Sequence, residues 1–334
     1  MIKFYKLLFL NTLIFSTLLV ISSYSWFSMW MGLEINMMSF IPLMINSKNI
    51  FSSESALKYF IIQALASNIL LFSIILNLHI NPLFFNNNIL MIMLNCALFM
   101  KLGAAPFHFW FPEIIMGLNW NNTLILMTWQ KIAPLIMISY NFSITLFISI
   151  IIIMSSMVGS IQSLNQINMQ KILAYSSINH MSWLIASLIN MQIFIMYFIM
   201  YFILSINIIM ILNINKIYSL TQLFYSLNEF KYFKFIFSLN FLSMSGLPPF
   251  FSFLPKWLII NKLINNNFFM LSLLMLVSTL IMIFMYIRIT LPMLMINHTE
   301  MISHSKNIFK LNLFIYLTNM ISFMGLMIFL ILFF

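Results

Sequence analysis

Long apolar runs separated by short polar breaks extend along the whole chain. Leu7 to Ser23, Ile144 to Ile161, Met191 to Leu212, Phe268 to Ile287 and Leu311 to Phe334 each approach the roughly 20 residues that an α-helix needs to cross about 30 Å of hydrocarbon. The runs lack the alternation of polar and apolar positions that marks a barrel strand, so helices are the predicted element. Read against breaks of Asn, Ser, Lys and Pro, the pattern predicts eleven spans, at about 4–23, 25–45, 56–78, 88–106, 121–140, 143–163, 171–189, 191–213, 233–260, 268–290 and 311–333. The chain, 1–334, therefore reads as a single all-α, polytopic transmembrane domain. Its first segment, MIKFYKLLFLNTLIFSTLLVISS, has a basic start and an apolar middle, as a signal peptide does. No clear small-x-small cleavage site follows and a second span begins at once, so a retained first helix is predicted.

Composition agrees with this pattern: 63% of the 334 residues are hydrophobic and 6% are charged, which excludes an ordinary soluble domain. The net charge of +10 is a topology signal. With an odd number of spans, Lys3, Lys6, Lys48, Lys58, Lys171, Lys216, Lys231, Lys234, Lys306 and Lys310 fall on one side, with Arg288 near the same boundary, and only Lys262 falls on the other. The positive-inside rule then places the N-terminus and basic loops on the cytoplasmic or matrix side and the C-terminus outside. The lysines are scattered over short loops and form no patch for nucleic acid, though they suit anionic lipid headgroups.

The connections at about Asn213–Tyr232 and Pro292–Lys310 are too short to fold a nucleotide-binding unit, and no GxGxxG, GxxxxGK[ST], CxxC or HExxH occurs. No flavin, haem, iron–sulfur cluster or metal is expected on this chain. The single Cys96 excludes an internal disulfide. An excess of Ile, Asn, Met, Phe and Lys, with no Asp and one Arg, suits an AT-rich genome such as an organelle's.

Four charges do not fit the loops. Lys101, Lys131 and Lys256 sit inside or at the edge of spans, and Glu34, in WMGLEINMMSF, lies near the middle of the second. A charge at a helix centre costs about 2.5–3.5 kcal/mol, so the four together cost on the order of 10 kcal/mol unless they pair or face water. Each of the three lysines lies near a predicted helix break. In KLGAAPFHFWFP, Gly103, Ala104 and Ala105 permit close helix contact and Pro106 ends the span just after Lys101. In WQKIAP, Pro134 lacks the N–H that would bond the Gln130 carbonyl, leaving an acceptor beside Lys131. In SMSGLPPFFSFLPKW, Gly246, Pro248 and Pro249 interrupt the ninth span before Lys256. Such discontinuities are tolerated at membrane depth only where protein or a water-filled cavity satisfies the backbone.

Snorkelling to the interface is the competing reading for Lys101 and Lys256. It suits the mid-span Lys131 poorly and leaves Glu34 unexplained, whereas a buried Glu34–Lys131 pair accounts for both. His180, in AYSSINHMSW, reads either as a hydrogen-bonding core residue or as part of an ion path; His108, beside Trp110, reads as an interfacial loop residue. Burial disfavours the charged form of lysine and glutamate alike, and pairing restores both charges. A buried lysine whose partner can come and go is a switchable proton site.

The ordered segments WMGLEIN, LKYF, KLGAAPFHFWFP, WQKIAP, SSINHMSW and SLNFLSMSGLPPFFSFLPKW closely resemble the antiporter-like membrane-arm subunits of mitochondrial respiratory complex I, in an insect-like version, along nearly the whole chain. The resemblance implies an antiporter-like fold of two inverted five-helix repeats, each with a broken helix. It implies proton translocation driven by NADH oxidation and ubiquinone reduction elsewhere in the complex, in the inner mitochondrial membrane, with the N-terminus in the matrix and the C-terminus in the intermembrane space. Glu34, Lys101, Lys131, His180 and Lys256 would carry the protons. FMN, iron–sulfur clusters, NADH and ubiquinone would belong to the complex as a whole. Neighbouring antiporter-like subunits and the bilayer would be the partners, with cardiolipin or another phospholipid bound. Eleven spans, against fourteen in bacterial members, would leave a flank for lipid or another subunit to cover. Two further functions compete on the residues alone: a stand-alone cation/proton antiporter, disfavoured by the lack of any intramembrane Asp, and a purely structural scaffold.

Overall fold

A computed structural model describes residues 4–46, 49–79, 87–142, 146–226, 231–248 and 250–295. The expected span at 311–333, Pro249 and the lysines at 3, 48, 306 and 310 lie outside the described residues. Where the sequence reads as one domain, the fold falls into two compact units that divide between Ser155 and Ser156.

In the first unit, α1 (Phe4–Ser22) packs on α2 (Trp26–Met44), whose N-terminus is capped by the Ser25 hydroxyl accepting from Ser28 N–H. Gly32 allows the approach: a Cβ there would lie 2.6 Å from Val20 Cγ2. The long α3 (Ile50–His79) contacts α2, α4 (Asn87–Leu102) and the short α5 (Trp110–Gly117). The span predicted over 121–140 is helical but divided, into α6 (Trp120–Met127), a 3-10 turn at Trp129–Lys131 and α7 (Ile132–Tyr140), and α7 packs on α1 and α4. α8 (Leu146–Ser163) carries the division between the units.

The second unit is arranged on α9 (Met169–Ser187), in which every residue except Lys171 and Tyr175 is buried. α10 (Met191–Asn215) follows, then α11 (Leu220–Ser226), α12 (Lys231–Ser245), α13 (Phe253–Asn265) and α14 (Phe269–Met295). α10 touches α9, α12 and α13, while α14 packs on α12, α13 and α11. An isolated antiparallel bridge, with Met169 N–H donating to Tyr218 O at 2.9 Å, ties the start of α9 to the approach to α11. Although α9 is rich in serine, its hydroxyls turn back on the preceding carbonyls, Ser176 to Leu173, Ser177 to Ala174, Ser182 to Asn179 and Ser187 to Leu184, at 2.6–2.8 Å. Polarity is thus satisfied within the helix, and the small side chains admit close neighbours.

Among the described residues six segments are long and apolar enough to cross a membrane: α1, α3, Trp120–Tyr140, α8, α10 and α14. Their outward faces carry exposed apolar side chains such as Phe15, Leu65, Ile150 and Leu280.

The sequence boundaries shift at the interruptions. The span predicted to run to Pro106 stops at Leu102, the one predicted over 233–260 divides into α12 and α13, and α3 starts at Ile50, not 56. Lys58, near the start of the predicted third span, lies on α3 and pairs with Glu54 at 3.0 Å and with Glu113 of α5 at 3.2 Å. Lys234, counted on the basic side at the edge of the predicted ninth span, is buried on α12. Of these two lysines only Lys234 is buried; the Lys58 side chain remains 44% exposed.

One glycine sets a helix contact. A Cβ on Gly159 of α8 would lie 2.8 Å from both the Asn179 nitrogen and the Tyr175 carbonyl oxygen, which are α9 backbone and cannot move aside as a rotamer can. Gly159→Val is expected to cost about 1–3 kcal/mol by overpacking, read as a lowered midpoint in thermal denaturation of the purified protein.

Candidate functional site

α4 ends as glycine-terminated helices do. Gly103 adopts φ +70°, its N–H donates to Met100 O at 3.3 Å, and Ala104 N–H donates back to Phe99 O at 3.2 Å. This pair of bonds satisfies two of the last carbonyls. Two side chains take part as well: Trp110 Nε1 donates to Met100 O at 3.2 Å and Gln63 Nε2 to Lys101 O at 3.3 Å. Gly103, not Pro106, is thus the stop, because the φ it adopts is one that L side chains rarely take. His108, in the turn between α4 and α5, is buried with its ring 4.3 Å from that of Phe109, so it is not the interfacial loop residue expected from sequence.

The second interruption holds Lys131. The Thr128 hydroxyl back-bonds to Leu124 O at 2.6 Å, which bends a helix. Pro134 supplies no N–H to the Gln130 carbonyl, and the intervening residues tighten into the 3-10 turn, with Lys131 N–H donating to Thr128 O at 3.3 Å. Gln130 Nε2 donates to Asn36 Oδ1 of α2 at 3.1 Å, and Lys131 Nζ lies 5.4 Å from the centroid of the Phe111 ring.

These elements converge on one cavity. Lys101, Lys131, Gln63, Gln130, Asn36 and Tyr59 line a space of about 20 Å³ open to the centre of a water-sized sphere, enough for one or two waters. Lys101 and Lys131 are only 8% and 2% exposed, so neither snorkels. Glu34 is half-buried, its Oε1 has no hydrogen-bond partner among the described residues, and its charge acts on Lys101. On α2 it is Asn36 that faces the Lys131 turn, and Glu34, two residues earlier, is set about 200° away around the helix.

The second unit repeats the motif with a different use of charge. α12 stops at Ser245, Gly246 takes φ +84° and donates to Ser243 O at 3.2 Å, and the chain passes through Pro248 before α13 begins. Lys256, 8% exposed, reaches back from α13 and donates from Nζ to Ser245 O at 2.8 Å. A cation at a helix C-terminus is favoured by the aligned peptide dipoles. The Ser252 hydroxyl also donates across the interruption, to Ser243 O. Gly246 is required twice, by its φ and because a Cβ would sit 2.8 Å from Lys256 Nζ. The ammonium lies 5.7 Å from the centroid of the Trp183 ring of α9, one turn along from His180, whose Nδ1 is 2.8 Å from the Tyr197 hydroxyl of α10. Sequence reasoning overlooked Asn36, Gln63, Gln130 and Tyr197. The first three announce themselves only as amides within apolar runs, and Tyr197 carries no signal.

Residues 23–282 match the family described as NADH:quinone oxidoreductase/Mrp antiporter, TM. A curated relative from Anopheles gambiae, NADH-ubiquinone oxidoreductase chain 2, is 46% identical over 88% of this chain and 87% of its own length. The protein of that name from Aedes aegypti is 45% identical over 96% of each chain. The fold is shared with a chain of respiratory complex I from Thermus thermophilus, with TM-score 0.80 and 23% identity over 89% of this chain and 72% of that one. It is also shared with a chain of the Mrp complex from a Dietzia species, with TM-score 0.72 and 12% identity over 84% and 59%.

Gly246→Ala is expected to impose about 1–2 kcal/mol of left-handed backbone strain and to push the Lys256 ammonium off Ser245 O. A lowered thermal denaturation midpoint of the purified protein checks it, and an unchanged midpoint contradicts the packing described.

Proposed function

The chain belongs to the NADH:quinone oxidoreductase/Mrp antiporter membrane family, and on that premise we propose that it is a proton-translocating membrane-arm subunit of mitochondrial NADH:ubiquinone oxidoreductase. The observation that carries this reading is the match over nearly its whole length to relatives named as chain 2 of that enzyme. The buried lysines supply the chemistry. Lys101 and Lys131 share one water-sized cavity, so a proton can pass between them through a water while Glu34, acting on Lys101, biases which lysine holds it. A change in the field at Glu34 then moves charge without any redox group on this chain. In the second unit Lys256 holds its proton at the C-terminal end of α12, and His180 serves the same relay.

The finer features belong to the same proposal. The division between Ser155 and Ser156, with one glycine-terminated break on each side of it, supports two inverted five-helix repeats and eleven spans. The lysine asymmetry supports a matrix N-terminus and an intermembrane-space C-terminus in the inner mitochondrial membrane. FMN, iron–sulfur clusters, NADH and ubiquinone are assigned to other subunits, and neighbouring antiporter-like subunits are the partners. Cardiolipin or another phospholipid is assigned to the apolar flank of α1, where Phe15 and Leu18 are exposed.

A second reading, a cation/proton antiporter acting alone, draws on the fold shared with the Mrp complex. Native electrophoresis of gently solubilised membranes, stained for NADH oxidation and read by mass spectrometry, separates the two. The chain is expected only in the large NADH-oxidising band; a small band free of that activity, with sodium-dependent transport, supports the antiporter. Within the complex, Lys131→Met is expected to lower coupled proton translocation by roughly tenfold or more, the scale of a lost proton-transfer group. Proton uptake by proteoliposomes during NADH oxidation measures it, and unchanged pumping would favour a structural scaffold.

A further inference from the structure

His180 and Tyr197 are buried to 4% and 3% exposure on adjacent helices, and their side chains meet at 2.8 Å through Nδ1 and the phenol oxygen. The contact is at the short end of the N···O range. The imidazole is held from a second side as well, by the Tyr201 ring, whose centroid is 5.3 Å away. His180, Tyr197, Tyr201, Ser252 and Pro255 border a small cavity of about 10 Å³ open to the centre of a water-sized sphere, room for about one water at most. The imidazole is thus fixed in orientation and has little water through which to exchange protons at random.

We propose that Tyr197 is a positioning residue for proton transfer that selects the tautomer of His180. An imidazole nitrogen is far more basic than a phenol oxygen, so the Tyr197 O–H donates to Nδ1, and neutral His180 carries its proton on Nε2. For Nδ1 to hold a proton, the Tyr197 O–H must rotate away and its oxygen must accept from Nδ1–H. The proton that then binds Nδ1 comes from a donor in the relay and gives the imidazolium, and release of the Nε2 proton leaves the Nδ1–H tautomer: one N–H bond forms, one breaks, and Tyr197 keeps its own proton throughout. Rotation of one hydroxyl therefore decides which ring nitrogen can take up or release a proton, and Tyr197 gates the histidine without carrying charge itself. This inference rests on the reading of His180 as a relay group.

The test uses the whole NADH-oxidising complex assembled with Tyr197→Phe, which keeps the ring and its packing and removes only the hydroxyl. Infrared difference spectra distinguish the two imidazole tautomers, and proteoliposomes report proton uptake during NADH oxidation. The expected result is the appearance of the Nδ1–H tautomer band together with a fall of roughly tenfold or more in coupled proton uptake, in keeping with what a wrong imidazole tautomer does to proton transfer. An unchanged spectrum and unchanged uptake would overturn the assignment, provided that His180→Gln impairs uptake. If His180→Gln leaves uptake intact, the relay reading fails, while the tautomer band in Tyr197→Phe still decides whether Tyr197 holds the imidazole. Should Tyr197→Phe fail to assemble, the unmutated complex answers: the histidine band lost in His180→Gln is expected to be that of the Nε2–H form, and an Nδ1–H band there refutes the assignment.

Discussion

Where a helix stops inside hydrocarbon, its last carbonyls lose their partners, and each must find a donor or cost several kcal/mol. The arrangement of both units follows from this constraint. At the end of α4 the donors are neutral: the backbone of Gly103 and Ala104, the Trp110 indole and the Gln63 amide. Lys101, two residues before that stop, is left to line the cavity with Lys131. At the end of α12 the donor is the lysine itself, since Lys256 bonds Ser245 O. The two breaks are alike in backbone and opposite in their use of charge. In one the cation shares a water-sized pocket with a second cation, and in the other it caps a helix end.

That difference gives the two lysine sites different chemistry. Lys101 lines a cavity of water size together with Lys131, Gln63 and Gln130, so its ammonium has polar neighbours and room for a water. A proton on Lys256 is tied to the geometry of the interruption: Gly246 has no side chain to displace the ammonium, and Ser252 holds the two helix ends together. Discharging Lys256 weakens a cap, and moving the cap disturbs the charge. The α9 serines are satisfied locally, by folding onto their own helix.

Much of this was legible in the sequence. The apolar periodicity located the helices, because a segment in lipid must satisfy its backbone within itself and so needs about 20 apolar residues wherever it spans. Lys101, Lys131, Lys256 and Glu34 stood out because a charge in such a run is expensive, and glycine and proline marked the interruptions because they alone among these residues cannot continue a helix without cost. The order of motifs, from WMGLEIN to LPKW, carried the family.

What the sequence could not decide was which groups face each other. Glu34 and Asn36 differ by two positions and so by most of a half-turn, and only the packing of α2 assigns the amide of Asn36 to Gln130. The stop at Gly103 ahead of Pro106, the burial of His108 and Lys234, and the pairing of Lys58 with two glutamates also came from packing. So did the bond between His180 and Tyr197, seventeen residues apart. The apolar pattern thus fixes where helices run and which charges are anomalous, since both depend on the solvent around each segment alone. Partner choice depends on the rotation of one helix against another, a property of the assembled fold that no single segment contains.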